Sequence, residues 1–536
     1  AEIEASHDGT ADDEKGDLIF RTNDGSDGSS PTERLRIDSA GSIIPATLGT
    51  DNVHLGESAG VSIASGGDNN TLVGKDAGTA ITTGDRNTAI GKDALKTATT
   101  AQYNTAIGYQ ALENNTGNNN TAVGDQALEA NTSGINNTAV GDDALVANTT
   151  GGGNVAIGVS ALDANTTASN STAVGFEAGT NSTGAQNTFF GRQSGKGVTS
   201  GTESVFVGNG AGRDGTSIGD YNIGIGSVCL NALTQGHSHV AIGRDALSAT
   251  TTGSESVAVG YQAGMDNTTG RVVAVGRHAL KSNTTGTTNT AVGYRALRDC
   301  TTGNDNVAMG NDAMRDATTA VRNTCFGHAA GINITTGNDN TFFGYEAGVY
   351  QGSVTTGNHN VIVGPFSTTT TSSTNLAFGL GYNLDCEGGY TTIGNQNADS
   401  RLSHGGTTWS TVSDERYKKD ITDSTVGLSF INALQPRTFN YKNKGELPDT
   451  FRAYEEGSTE VFKSDKTQHG FIAQEVKAAI DADSGVKDGF KLWDDREDGS
   501  QEVAEAALIP VLVKALQELS AKNDALEARI ETLEAE

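Results

Sequence analysis

The chain has 536 residues and a formal net charge of −29, with 19% charged residues, 6% aromatic residues and 70 glycines. Apolar side chains make up 35%, and only the glycines bring the apolar share to its usual range, which argues against a large globular α/β core. The six prolines argue against collagen and against a Pro-rich linker. So acidic a surface repels phosphates, which excludes nucleic acid as a partner, and no apolar run approaches the ~18 residues of a membrane helix.

The opening stretch is polar and acidic, without the apolar region of a signal peptide. It starts with Ala, and Met265, Met309 and Met314 are internal, so the chain is expected to be processed or a piece of something longer. Residues 1–50 form a predicted N-terminal β segment. Within it, 16–22 and 33–38 alternate like two strands joined by a Gly/Ser/Pro loop. This pair resembles segments that precede shafts in phage fibre proteins.

From 51 to 395 one pattern recurs: Asn-Thr-Ala-Ile/Val-Gly-x-x-Ala-Leu-x-x-Asn-Thr-Thr-Gly. Its first Gly steps from Gly74 to Gly344 with a period of about 17 residues, the mark of a solenoid or stacked array. Asn87 to Ile90 alternate as in a strand, with Thr88 and Ile90 on one face and Asn87 and Ala89 on the other. The larger side chains Ile90, Ile107, Val123, Val140, Ile157 and Val174 are expected to form one buried column. The Ala positions form a second, opposite column of small residues, so both faces are expected to be packed. Ala94-Leu95 and its equivalents give a second buried anchor. Asn131 to Gly134 is turn chemistry, and in-register Asn side chains can satisfy one another's amides. A unit this small buries little alone, so three identical chains wound about one axis are expected to bury the Ile/Val columns together. At roughly 4.8 Å per layer the shaft reaches on the order of 100 Å. The Asn-Thr/Ser-Ala-Ile/Val-Gly core resembles the head repeats of trimeric autotransporter adhesins and the shafts of phage tail fibres. The adhesin repeat is shorter, and no membrane anchor of the adhesin type is seen here.

Composition changes after Gly394. A linker is read at 396–412 and a separate domain at 413–536, which holds both Trp. It opens Ser413-Asp414-Glu415-Arg416-Tyr417-Lys418-Lys419 and continues through Leu434-Gln435-Pro436-Arg437 and Gly470-Phe471-Ile472-Ala473-Gln474-Glu475-Val476. Residues 443–468 read as a polar insertion. Leu512, Leu516, Leu519, Asn523, Leu526, Ile530 and Leu533 are spaced as a heptad seam, with Asn523 fixing register, so 508–536 is a predicted coiled coil and a trimerisation device. Pro510 sits near the helix start, where a missing N–H is tolerated.

This order of motifs resembles the intramolecular chaperone domain of endosialidases, phage tailspikes and L-shaped tail fibres. The resemblance implies a domain that trimerises, guides folding of the preceding shaft and then cuts itself off. It places the scissile bond at Ser413-Asp414, with Ser413 as nucleophile and Lys418 as base. Arg416 and Lys419 are nearby cations that can lower the lysine's basicity, and Gln474 and Glu475 are supporting residues. A Ser hydroxyl needs such a base, and a Lys serves only when its charge is disfavoured.

Other signals carry less. The glycines at 208, 210 and 212 fall on the repeat period, which argues against a nucleotide loop. His237-Ser238-His239 places two imidazoles on alternate residues, which in a three-chain rod could gather around an axial metal. The four Cys match neither a zinc motif nor a disulfide framework and read as small apolar residues. No carboxylate pair stands out as a glycosidase site, and low aromatic content argues against a sugar-binding cleft. The expected protein is therefore mostly β: a trimeric β-solenoid or β-roll shaft followed by an α+β chaperone domain ending in a trimeric coiled coil. Its expected role is a homotrimeric phage fibre or appendage in the virion, without cofactor or membrane insertion. It is expected to meet a host receptor or glycan, and its only chemistry is self-cleavage. A trimeric bacterial surface adhesin and a tailspike glycan depolymerase are the alternatives.

Overall fold

The computed structural model describes residues 2–7, 16–22, 32–37, 43–45, 51–349, 354–411, 413–486 and 490–535. It divides into two compact units, 1–412 and 413–536.

The first unit begins with a four-stranded antiparallel sheet of Glu2–His7, Gly16–Thr22, Thr32–Ile37 and Ile43–Pro45. The two strands expected from alternation are its second and third. A β-solenoid follows, starting with the strand Val53–Leu55. Each coil adds one short strand, paired parallel and in register with the strands before and after it: Thr88↔Thr105, Ala89↔Ala106, Ile90↔Ile107. The parallel ladder runs to Tyr390–Asn395. The sheet then continues antiparallel through Ala398–Ser403 and Ser410–Thr411, inside the stretch read as a linker.

The coil interior corrects one expectation. Ala89, Ala106, Ala122 and Ala139 are fully buried, and so is the Asn two residues before each. The Ile/Val column faces outward, with Ile90, Ile107 and Ile157 exposed. A coil of about 17 residues encloses a narrow interior, and Ala with the Leu of the second anchor (Leu95, Leu112, Leu128) fills it. Within the single chain only one face of the strand is therefore packed.

Two features hold the stack. The Gly after each strand has a φ open only to glycine, +143° at Gly108, and a Cβ there would lie 2.0 Å from the Gly124 carbonyl oxygen. The interior Asn column forms the expected ladder. Asn87 Oδ1 accepts the Asn104 backbone N–H at 3.0 Å, and Asn87 Nδ2 donates to the Ala101 carbonyl at 2.9 Å. Each buried amide thus satisfies backbone groups of its own coil and the next, which offsets the cost of burying it. Where the interior widens to Phe, glycine makes the room: a Cβ on Gly195 would fall 2.0 Å from the Phe189 ring. The four Cys are buried thiols without disulfides, as their isolated positions implied. Burial pushes Cys300 up to about 11 and Cys229 and Cys386 up to about 12, so they stay protonated.

The second unit is a small α+β fold. Its helices are α1 (Leu428–Ala433), α2 (Ala473–Ala482) and α3 (Leu508–Ala535). Val426, Phe430 and Leu434 pack with Val476 and Ala479 of α2, Leu492, and Leu508 and Val511 of α3. The α1 N-terminus lacks a side-chain cap of its own; instead the Glu518 carboxylate accepts the Leu428 N–H at 2.9 Å, tying α3 to α1. Residues of the polar insertion are bridged by Lys444, which contacts Glu455 and Glu460 at 2.9 and 2.8 Å.

Candidate functional site

The boundary between the two units falls at Val412/Ser413, beside the bond singled out from the sequence. A single 3₁₀ turn, Glu415–Tyr417, builds the local geometry. Asp414 caps it: Oδ1 accepts the Arg416 N–H at 2.9 Å, and the carboxylate grips the Arg416 guanidinium at 2.9 and 2.6 Å. That grip holds the Asp414 carboxyl below its ordinary range. The turn ends at Lys418, whose N–H bonds the Glu415 carbonyl at 2.9 Å. The chain thus doubles back, and Lys418 Nζ donates to Ser413 Oγ at 2.7 Å. Ser413 and Lys418 are both exposed in the single chain, as is Lys419.

Gln474 and Glu475 sit in the first turn of α2. Among the described residues neither contacts Ser413 or Lys418. Glu475 forms a two-pronged pair with Arg437 at 2.9 and 2.7 Å, which lowers the Glu475 carboxyl and joins α2 to the strand Arg437–Phe439. Arg437 lies in a motif visible in the sequence, but its partner is 38 residues away and no spacing rule connects the two. On α3, Leu508, Val511 and Ala515 face the unit's own core. The seam residues Leu512, Leu516, Leu519, Asn523, Leu526, Ile530 and Leu533 all remain exposed, Leu516 at 68%.

The two His are separated by the fold. His237 is exposed in the turn before a strand, whereas His239 is fully buried at an Asn position of the interior ladder. Its Nδ1 accepts the Ser256 N–H at 3.3 Å and its Nε2 bonds the Gly253 carbonyl at 2.6 Å. A metal ion at either ring nitrogen would have to displace the bond that nitrogen makes. Among the described residues no cluster of three or more His, Cys, Asp or Glu is placed to hold a metal, and no helix is long and apolar enough to cross a membrane.

Residues 413–484 match the family model described as chaperone of endosialidase. This segment is similar to that family. The match begins at Ser413 and stops before α3. A β-solenoid followed by such a segment fits the endosialidase and tailspike pattern. Searches of curated proteins and of solved structures found no match to the chain.

Proposed function

We propose that the chain is a homotrimeric phage tail-fibre or related appendage protein that serves in host-surface adsorption. In this reading residues 413–536 trimerise and set the register of the shaft, then separate by cleavage between Ser413 and Asp414. The observation that carries it is the 2.7 Å contact between Lys418 Nζ and Ser413 Oγ at the first residue of the chaperone-like segment. A neutral Lys418 accepts the hydroxyl proton and frees Oγ to add to a carbonyl carbon.

The chemistry constrains which carbonyl. Ser413 owns the scissile carbonyl, and attack by its own Oγ would close a strained four-membered ring. Attack on the Ser413 carbonyl of a neighbouring copy has no such ring. There the new C–O bond forms an ester, the Ser413–Asp414 C–N bond breaks, and the leaving Asp414 amine takes the proton held by Lys418. Water then hydrolyses the ester. Packing of copies would also withdraw the exposed Lys418 from water, which disfavours its charge.

Denaturing mass analysis of freshly expressed protein beside Ser413→Ala tests the reading. Wild type is expected to split after Ser413 and the variant to stay whole. If both stay whole, the second unit is a permanent trimerisation cap and a bacterial surface adhesin becomes the better reading.

A further inference from the structure

The position just after the strand glycine forms an outward column along the solenoid. From Arg244 onward this column alternates cation and ring on consecutive coils: Arg244, Tyr261, Arg277 and Tyr294, with Arg295 beside the last. The Arg244 and Arg277 guanidiniums lie 5.9 and 5.7 Å from the centre of the Tyr261 ring. Arg277 and Arg295 lie 5.8 and 4.5 Å from the centre of the Tyr294 ring. Arg277 is thus held between two rings. A guanidinium flanked by rings has its N–H edges as the part that can grip a carboxylate in a two-pronged pair.

Ion pairing sets Arg277 apart. Arg298, Arg315 and Arg322 each hold a carboxylate within 2.7 Å. Arg244 and Arg295 have looser partners, Asp245 at 3.4 Å and Asp312 at 3.9 Å. Among the described residues Arg277 has no ion pair. Arg277, Lys281, Arg295 and Arg298 all act on the neighbouring His278 and, after burial, help lower its imidazole. Between residues 240 and 330 eight Arg and Lys stand against seven Asp and Glu, whereas the whole chain has 36 against 65. The ribbon therefore lies in a nearly neutral stretch of an acidic molecule, with Arg277 as its unpaired cation among the described residues.

We infer that this Arg–Tyr ribbon is a binding site for an acidic polysaccharide, with guanidinium edges taking sugar carboxylates and the Tyr hydroxyls bonding sugar hydroxyls, while the rings hold the guanidiniums in place. The net charge of the chain disfavours a phosphate-dense nucleic acid strand, whereas a glycan spaces its carboxylates among neutral groups. The inference rests on the adsorption reading for its setting and adds the chemistry of the receptor.

The test uses the full chain with Ser413→Ala, polygalacturonate as the uronate probe, and dextran and oligothymidylate as controls. Polygalacturonate is expected to bind at low salt and to weaken as salt rises, and dextran is not. Arg277→Ala is expected to weaken binding about tenfold or more, the loss of one charge-assisted pair, while Arg277→Lys recovers only part because the planar fork is gone. Absence of binding at low salt, equal binding of oligothymidylate, or unchanged affinity in Arg277→Ala combined with Tyr261→Ala would overturn the assignment. So would dissociation of the oligomer in these variants, which would make the ribbon a contact between copies. Attachment of the wild-type protein to cells, assayed in parallel, separates this failure from a failure of the adsorption reading.

Discussion

An imidazole replaces a carboxamide in the interior ladder at His239, and it reproduces the same two bonds: one ring nitrogen accepts a backbone N–H of the next coil and the other meets a backbone carbonyl. The Ser256 bond needs an unprotonated Nδ1 and the Gly253 bond a protonated Nε2, so the pair is met together only by the neutral tautomer protonated on Nε2. Burial, with a smaller contribution from His237, holds the imidazole down at about 4 against an ordinary 6.5. The unfolded chain therefore binds the proton first. The contribution of His239 is complete above pH 6.5 and is lost as pH falls toward about 4, a loss of about 3 kcal/mol at most. His239→Asn restores the residue used elsewhere in the column and is expected to flatten that part of the acid sensitivity. Denaturation midpoints at neutral and mildly acidic pH check it; equal acid loss in both proteins would show that other groups carry it. Alternate residues share a face only within a strand. The strand starts at Val240, so His237 lies in a turn, where alternation of faces does not apply.

Period, strand position, glycine turn and Asn ladder were all legible at the scale of the element, because each depends on residue type repeated at fixed spacing. Which strand face is interior was not. Hydrophobicity favours Ile and Val over Ala, but the coil interior has space only for the smaller residue opposite Leu, and size decided the outcome. The Arg–Tyr column was equally hidden, since overall composition says nothing of how few aromatics are gathered in one row. Helix α3 is the clearer case. Its heptad spacing picked out a row that stays exposed in the single chain, and its second face, Leu508, Val511 and Ala515, packs on the unit's own core. Leu519 and Leu526 are 52% and 58% exposed and touch little else in the chain, so Leu519→Lys with Leu526→Lys should leave that core intact. Burying a Leu is worth about 1.5–3 kcal/mol, and each substitution acts on every copy. The double variant, made with Ser413→Ala, is expected to lose its trimer in light scattering after gel filtration while keeping its helical circular dichroism. A trimer that persists would move the clamp from α3 to the shaft.

For the whole molecule the difficulty is register. Neighbouring coils are nearly interchangeable, so copies displaced by one coil of about 17 residues bury similar surfaces, and non-local assembly of this kind is slow. In the proposed reading a clamp at 413–536 resolves the choice before the shaft closes, and cleavage afterwards removes the clamp and leaves the shaft kinetically trapped. This order of events requires that cleavage wait for assembly. Attack across copies supplies the delay, because within a lone chain the Ser413 hydroxyl meets its own scissile carbonyl only through a four-membered ring. Co-expression of wild-type chain with a longer-tagged Ser413→Ala chain distinguishes the routes. If attack crosses between copies, the peptide bond preceding Asp414 in the variant is cut in mixed trimers by the hydroxyl of a wild-type neighbour, and the tagged fragment appears in the mass spectrum. If each chain cuts itself, the variant chain stays whole at every mixing ratio, and the delay has to come from changes that assembly makes around Lys418.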